Sequence, residues 1–399
     1  MRIRNFKIVH LTYVIFLFSF LFSNTLAFSQ NTTIIPGAER LELYLNDCKN
    51  KSVGIVANQT SVFQDKHLVD VLLSENIDIV KIFCPEHGFR GDAGAGELIA
   101  DGKDEITGLP IISLYGNNKK PSQKQLEGID IMLFDLQDVG VRFYTYISTL
   151  TYIIEACAEA NITLIILDRP NPNAHYIDGP TLENGFESFI GMHHVPVVYG
   201  MTIGEYGLMV NGEKWITHYF NDENMLKVIP VANYSHEMIY ELPVAPSPNL
   251  KNMSAIWMYP SLCFFEGTCM SLGRGTDYPF ELVGHPELSN YDTTFVPRSI
   301  PHAAPNPKLK DQKCFGCNLI GQGYEWRYTT HELNFDLLIS CYKELQEKDK
   351  FFIPFFDKLA GNDRFRKQII DNESIETIRE SWQVDLDNFK KIRSKYLIY

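Results

Sequence analysis

Positive charge is in short supply. The 399 residues hold 36 Lys and Arg against 49 Asp and Glu, a formal net charge of −13. That balance argues against duplex nucleic acid or an anionic membrane as main partner, because both are bound chiefly through cationic side chains. Cysteine is scarce as well. The eight, at Cys48, Cys84, Cys157, Cys263, Cys269, Cys314, Cys317 and Cys341, are too dilute for a disulfide scaffold. Cys84 and Cys157 fall in apolar runs, where a buried reduced thiol is expected. The Cys314 and Cys317 pair reads either as a tight local disulfide or as two free thiols.

Nucleotide and hydrolase signatures are missing too. The first β-branched run leads into Asn58-Gln59-Thr60 and not into GxGxxG. The stretch from Gly91 to Glu97 lacks the Lys-Ser/Thr of a phosphate loop and carries two acids, which repel phosphate. Neither a GxSxG nucleophile elbow nor an HExxH zinc motif occurs. His193-His194 is a poor metal pair, since adjacent residues of a strand face opposite ways. No cofactor and no metal is therefore expected. Hydrophobic residues are not deficient: 45% of the chain is hydrophobic and 21% charged, ordinary globular usage that excludes wholesale disorder.

Only the first 27 residues carry a sustained apolar run. Arg2, Arg4 and Lys7 precede Ile8 to Phe22, which only His10, Thr12 and Ser19 interrupt, and Thr25-Leu26-Ala27 supplies small residues for cleavage. About 15 residues fall short of the roughly 20 needed to span a bilayer. Residues 1–27 thus read as a secretory signal peptide, which implies export across the inner membrane to the periplasm and no stable membrane insertion after cleavage. No Cys follows for a lipid anchor.

After a linker and entry segment, 28–50, short β-branched runs alternate with helix-like segments, the pattern of a parallel sheet with crossover helices. Val53–Ala57, Ile77–Phe83, Pro110–Leu114, Ile129–Leu136, Thr163–Leu167 and Val195–Val198 read as strands. Leu68–Glu75 and Tyr146–Ala160 read as helices, the second with Ile147, Leu150, Ile153, Ile154 and Cys157 on one face. The expected architecture is a Rossmann-like α/β domain over 51–250. A smaller α+β domain over 251–399, entered through the Pro-rich passage Pro243 to Asn249, closes the crevice.

Polar groups recur where strands end: Asn58-Gln59-Thr60, Glu86-His87, Tyr115, Asp135 to Asp138, Asp168 to Asn171, and Tyr199. Ligands of open parallel sheets bind beyond the carboxyl ends of the strands, so these clusters should converge. Glu86, set between Pro85 and Gly88, could donate a proton to a leaving oxygen or could merely pin its own loop. Asp138, Arg142 and Tyr144 suit recognition of hydroxyls and a carboxylate, or else an Arg142–Asp138 ion pair among buried tyrosines. Asp168 and Arg169 could bind ligand or pair and cap loops, and Asn171 could meet an acetamido group. Thr202 and Glu205 match a capping box, with a substrate role for Glu205 as the alternative.

Taken in order, several strings resemble the NamZ exo-β-N-acetylmuramidases, glycoside hydrolase family 171, formerly a domain of unknown function. They are Val53 to Thr60, Pro85-Glu86-His87-Gly88-Phe89-Arg90-Gly91, Phe134 to Tyr146, Leu167 to Pro172, Tyr199 to Glu205, Pro246 to Leu250, Tyr259-Pro260 and Glu266-Gly267-Thr268. The resemblance implies a secreted glycosidase that releases N-acetylmuramic acid from the non-reducing end of peptidoglycan fragments, without nucleotide. It places the general acid/base on Glu86. It places crevice residues on His87, Asp138, Arg142, Tyr144, Asp168, Arg169, Asn171, Tyr199 and Glu205. Hydrolysis needs a second group, for which Asp138 is preferred and His87 is next. The lactyl carboxylate calls for an Arg, either Arg142 or Arg274. Two other classes stay open: a non-catalytic cell-wall sugar-binding protein, and a metal-dependent hydrolase using His87, His193 and Asp168.

Overall fold

The computed structural model describes residues 33–86, 88–90 and 102–399. The expected signal peptide, His87 and the Gly91 to Gly96 stretch lie outside the described residues. Along the chain run β1 (Ser52–Ala57), the hairpin strands β2 (Val62–Phe63) and β3 (Lys66–His67), and helix α1 (Leu68–Ser74). Then come β4 (Asp78–Cys84), β5 (Gly102–Lys103), β6 (Pro110–Ser113), β7 (Ile131–Asp135), helix α2 (Tyr146–Ala160), β8 (Thr163–Leu167), helix α3 (Ile203–Gly212) and β9 (Leu226–Ile229). Seven strands form one sheet in the order β5-β6-β4-β1-β7-β8-β9. All neighbours are parallel except β5, which runs antiparallel to β6. Counted along the chain, the parallel strands lie 3-2-1-4-5-6, the doubly wound Rossmann order, with its switch point between β1 and β7.

Local sequence explains these elements. Strands β1 and β7 are buried almost throughout, as expected of parallel strands covered on both faces. Helix α2 buries Ile147, Leu150, Ile153, Ile154 and Cys157 and stops at Asn161, whose left-handed φ of 57° closes the last turn. Helix α3 opens with the capping box read from the sequence: the Thr202 hydroxyl accepts from Glu205 N, and the Glu205 carboxylate accepts from Thr202 N.

One expected strand is wrong. Val195–Val198 is buried but makes only isolated antiparallel bridges, Val198 with Val141 and with Asp178. The sixth parallel strand is β9. As an edge strand it buries Leu226 and Ile229 while Lys227 and Val228 stay partly exposed, so it lacks the continuous apolar run of a central strand.

Beyond the Ser247–Leu250 turn, helix α4 (Met253–Leu262) is buried at every residue. A three-stranded antiparallel sheet, β10 (Leu282–His285), β12 (Cys314–Asn318) and β11 (Thr293–Phe295), follows in that order, with short helices after it. Cys314 and Cys317 are three apart on β12, hence on opposite faces, and both are free thiols. One hydrophobic core runs from Phe134 and Leu150 of the first half to Phe264, Phe335 and Trp382 of the second. Ile35 to Tyr399 accordingly packs as a single unit.

At the switch point the Arg169 Nε and Nη2 atoms donate to the two oxygens of Asp135 at 2.6 and 2.8 Å, both side chains being sealed from solvent. Replacing Asp135 by Ala strands a buried guanidinium without its counter-charge, and the unfolding free energy should fall by about 3–5 kcal/mol. Urea denaturation measures this; a loss below about 1 kcal/mol, the worth of an exposed pair, would show that the pair does not hold the strand ends together.

Candidate active site

Strand ends from three parts of the chain meet beside the switch point. After β1, Asn58 Nδ2 donates to the Tyr146 hydroxyl at 2.7 Å, while its Oδ1 accepts from Thr60 N and Oγ1. After β4, Pro85 leads to Glu86, which is half-buried. After β6, Tyr115 comes within electrostatic reach of the Glu86 carboxylate. Burial first, and then the Glu86 charge, push the Tyr115 phenol above its ordinary value. The same carboxylate acts electrostatically on Tyr146, whose phenol is also pushed up, chiefly by burial. Glu86 therefore shares this corner with two phenols.

The Pro-rich passage roofs this corner. The Pro246 carbonyl accepts from Tyr144 Oη at 2.8 Å, Gln59 Nε2 at 3.3 Å and Tyr146 Oη at 3.4 Å. The Tyr144 ring lies edge-on to Tyr146 and to Tyr259 of α4, at 4.9 and 6.1 Å between centroids. Arg274 Nε meets Glu266 Oε1 at 2.6 Å, and the guanidinium covers Phe280 while its side chain stays about a third exposed.

The other expected ligand-binding groups are spent on the protein itself. Arg142 is fully buried; its Nη1 donates to Pro180 O and Val195 O and its Nη2 to Leu359 O. Its buried Nε has no hydrogen-bond partner, and it does not pair with Asp138. Arg169 grips Asp135 and not Asp168. The Asp168 carboxylate accepts from Thr202 Oγ1, Gly204 N, Arg169 N and the hydroxyl of Tyr399. Asn171 is closed off by Met201 O and Asn173 N, and it packs so tightly on Gly140, at φ 79°, that a Cβ there would fall 2.1 Å from its Oδ1. Glu205, besides capping α3, accepts from Ile398 N and lies 2.8 Å from His236 Nε2. Arg142, Arg169, Asp168, Asn171 and Glu205, expected to line the crevice, thus find most of their hydrogen-bond partners within the fold, as polar groups this deeply buried require.

Asp138, 3% exposed, accepts from Gly140 N at 2.7 Å and from the Tyr199 hydroxyl, while its Oδ1 has no partner. Burial pushes its carboxyl up to about 7 against those donors. It is buried beside Tyr199, which donates to it. His193 meets Thr151 Oγ1 and stacks on Trp215, whereas His194 turns to Leu182 O. Among the described residues no group of three or more His, Cys, Asp or Glu side chains is arranged to hold a metal ion, and no helix is long and apolar enough to cross a membrane. Tyr115 and Tyr146 stand closest to Glu86 in function; their sequence signal is position alone, just past β6 and at the start of the helix after β7.

A doubly wound α/β protein with a carboxylate, phenols and amides at the switch point, and no glycine-rich phosphate loop, is of a class suited to a hydroxyl-rich ligand and not to a dinucleotide. The chain belongs to the NamZ exo-β-N-acetylmuramidase family: the N-terminal domain model of that family matches residues 53–254 and the C-terminal one residues 257–399. It is 37% identical over 383 residues to the peptidoglycan β-N-acetylmuramidase NamZ of Bacillus subtilis (strain 168), covering 89% of each chain. Two crystal structures of DUF1343 family proteins from Bacteroides fragilis resemble it. One is 44% identical with a TM-score of 0.85, the other 27% identical with a TM-score of 0.73, and each comparison covers 92% of this chain and 99% of the other.

The Asp138 value of about 7 lies above the ordinary 3.8, so the folded protein binds this proton more tightly than the unfolded chain does. The associated stability is fully present below pH 3.8 and is lost as pH rises through about 7. Asp138→Asn cannot ionise, so the stability difference between variant and parent should shift in favour of the variant between pH 4 and 8. Parallel thermal unfolding across that range tests this; a constant difference would contradict the buried titration.

Proposed function

We propose that this protein is a secreted glycosidase that releases N-acetylmuramic acid from the non-reducing end of peptidoglycan fragments, with Glu86 as general acid/base. The observation that carries the reading is Glu86 itself: it lies half-buried just past the end of β4, the strand beside β1, in a chain matched in both halves by exo-β-N-acetylmuramidase models. In this reading Glu86 gives its proton to the glycosidic oxygen as the bond to the anomeric carbon breaks, water adds to that carbon, and the displaced proton returns to Glu86. Asp138, whose Oδ1 has no partner, is the first candidate for assisting the water, and His87, next to Glu86 in the chain, the second. Arg274, a third exposed above Phe280, meets the lactyl carboxylate in place of Arg142. A polar crevice on an acidic, exported chain agrees with a substrate that lies outside the cytosol.

The test is release of N-acetylmuramic acid from muramoyl-glucosaminyl saccharides and from a nitrophenyl muramide. Glu86→Gln should lower kcat by about 10²–10⁴-fold with circular dichroism and melting temperature preserved. Full activity in that variant would remove Glu86 from the chemistry, and tight binding of the saccharide by the parent without turnover would make it a sugar-binding protein instead. Export is tested separately: the protein recovered from the periplasm should begin at Phe28, and a chain that keeps Met1 in the membrane fraction would mean an uncleaved anchor.

A further inference from the structure

We propose that Gln137 selects the free end of the sugar chain: its side-chain carbonyl oxygen accepts a hydrogen bond from the hydroxyl on the side of the ring opposite the scissile bond. The proposal rests on the muramidase reading and assigns it a specificity-determining residue.

Strand register places Gln137 in line with Glu86. Val56 of β1 pairs with Phe83 of β4, and Ala57 with Asp135 of β7. Continued past the strand ends, these parallel pairings set Gln59 level with Glu86 on one side and with Gln137 on the other. The same count from the Cys84–Ser113 pair sets Tyr115 level with Glu86, and Tyr115 does come within electrostatic reach of that carboxylate. On the other side, Gln137 N donates to Thr60 Oγ1 at 3.1 Å, so the loops after β1 and β7 still run together there. Neighbouring strands lie about 4.8 Å apart, which puts the Glu86 and Gln137 positions about 10 Å from each other. One pyranose ring with a hydrogen bond at each end fills that span.

The Gln137 amide has a fixed direction. Its Nε2 donates to Asp138 O at 2.8 Å and to Pro170 O at 2.7 Å, which uses both amide hydrogens and identifies the nitrogen. Oε1 remains, and among the described residues it has no partner, although Gln137 is only 2% exposed. Gln59 repeats the arrangement across the switch point: its Nε2 turns to the Ala245 and Pro246 carbonyls, and its buried Oε1 has no partner. Buried polar atoms are rarely left unpaired. Two amide oxygens in this state call for a ligand that donates.

In a 1,4-linked glycan only the terminal sugar has a free hydroxyl at carbon 4; an interior sugar is bonded through that oxygen and has no hydrogen to give. With Glu86 at the glycosidic oxygen on carbon 1, carbon 4 lies along the row toward Gln137. A hydroxyl there satisfies Oε1, whereas an ether leaves it buried and unpaired. A site built around a hydroxyl rejects a ligand that lacks one for this reason.

The experiment measures kcat/KM on nitrophenyl N-acetylmuramide and on its 4-deoxy analogue. The parent should prefer the hydroxylated substrate by at least about tenfold. In Gln137→Met, which keeps the side-chain length without the amide, and in Gln137→Asn, which draws the amide back, that preference should shrink to about twofold or less, because the hydroxyl and its acceptor are coupled. Variants that lose activity on both substrates alike, with the parental preference kept, make Gln137 a purely structural residue and overturn the proposal. A parent indifferent to the 4-hydroxyl overturns it too, while the muramidase reading stands. A parent inactive on nitrophenyl N-acetylmuramide overturns both.

Discussion

The buried pair of Asp135 and Arg169 is the constraint on which this structure turns. It joins the carboxyl end of β7 to that of β8, and Arg169 Nη2 reaches on to Val62 O at the start of β2, just past β1. The Ser61 hydroxyl donates to the carbonyl of the same Asp135. Two full charges without solvent are tolerated only when they are matched in geometry as well as in sign. The fork-to-carboxylate match therefore sets the relative positions of three strand ends, and the crevice is the space they leave.

The second half is less a lid than a continuation of the first. Pro246 O gathers donors from the loops after β1 and β7. Arg142 reaches across to Leu359 O, and the Tyr399 hydroxyl closes on Asp168 and on Val231 N. Together with one continuous hydrophobic core, these bonds tie the second half firmly to the first. A site assembled from distant parts of the chain needs that rigidity, since catalysis depends on the placement of groups relative to a bond.

Polar groups at strand ends form two populations that look alike as residue types. Arg142, Asp168, Arg169, Asn171 and Glu205 are buried and bonded chiefly within the fold; Glu86, Tyr115 and Arg274 keep part of their surface open. Burial makes the difference, because a polar group removed from water must find its partner inside the fold.

The sequence by itself determined the alternation of strands and helices, the amphipathic face of α2, the capping box of α3 and, through long ordered strings, the family. Each of these depends on near neighbours in the chain, and local periodicity and capping chemistry record such relations directly. It missed the edge strand β9, whose half-exposed pattern imitates a loop, and it took Val195–Val198 for a strand because burial alone makes a run apolar. Only the tertiary structure decided which Asp the Arg169 fork would grip, that Cys314 and Cys317 face apart, and that Tyr115 would lie against Glu86. Those outcomes depend on strand order and register, which bring together residues tens of positions apart and leave no periodic trace in the chain between them.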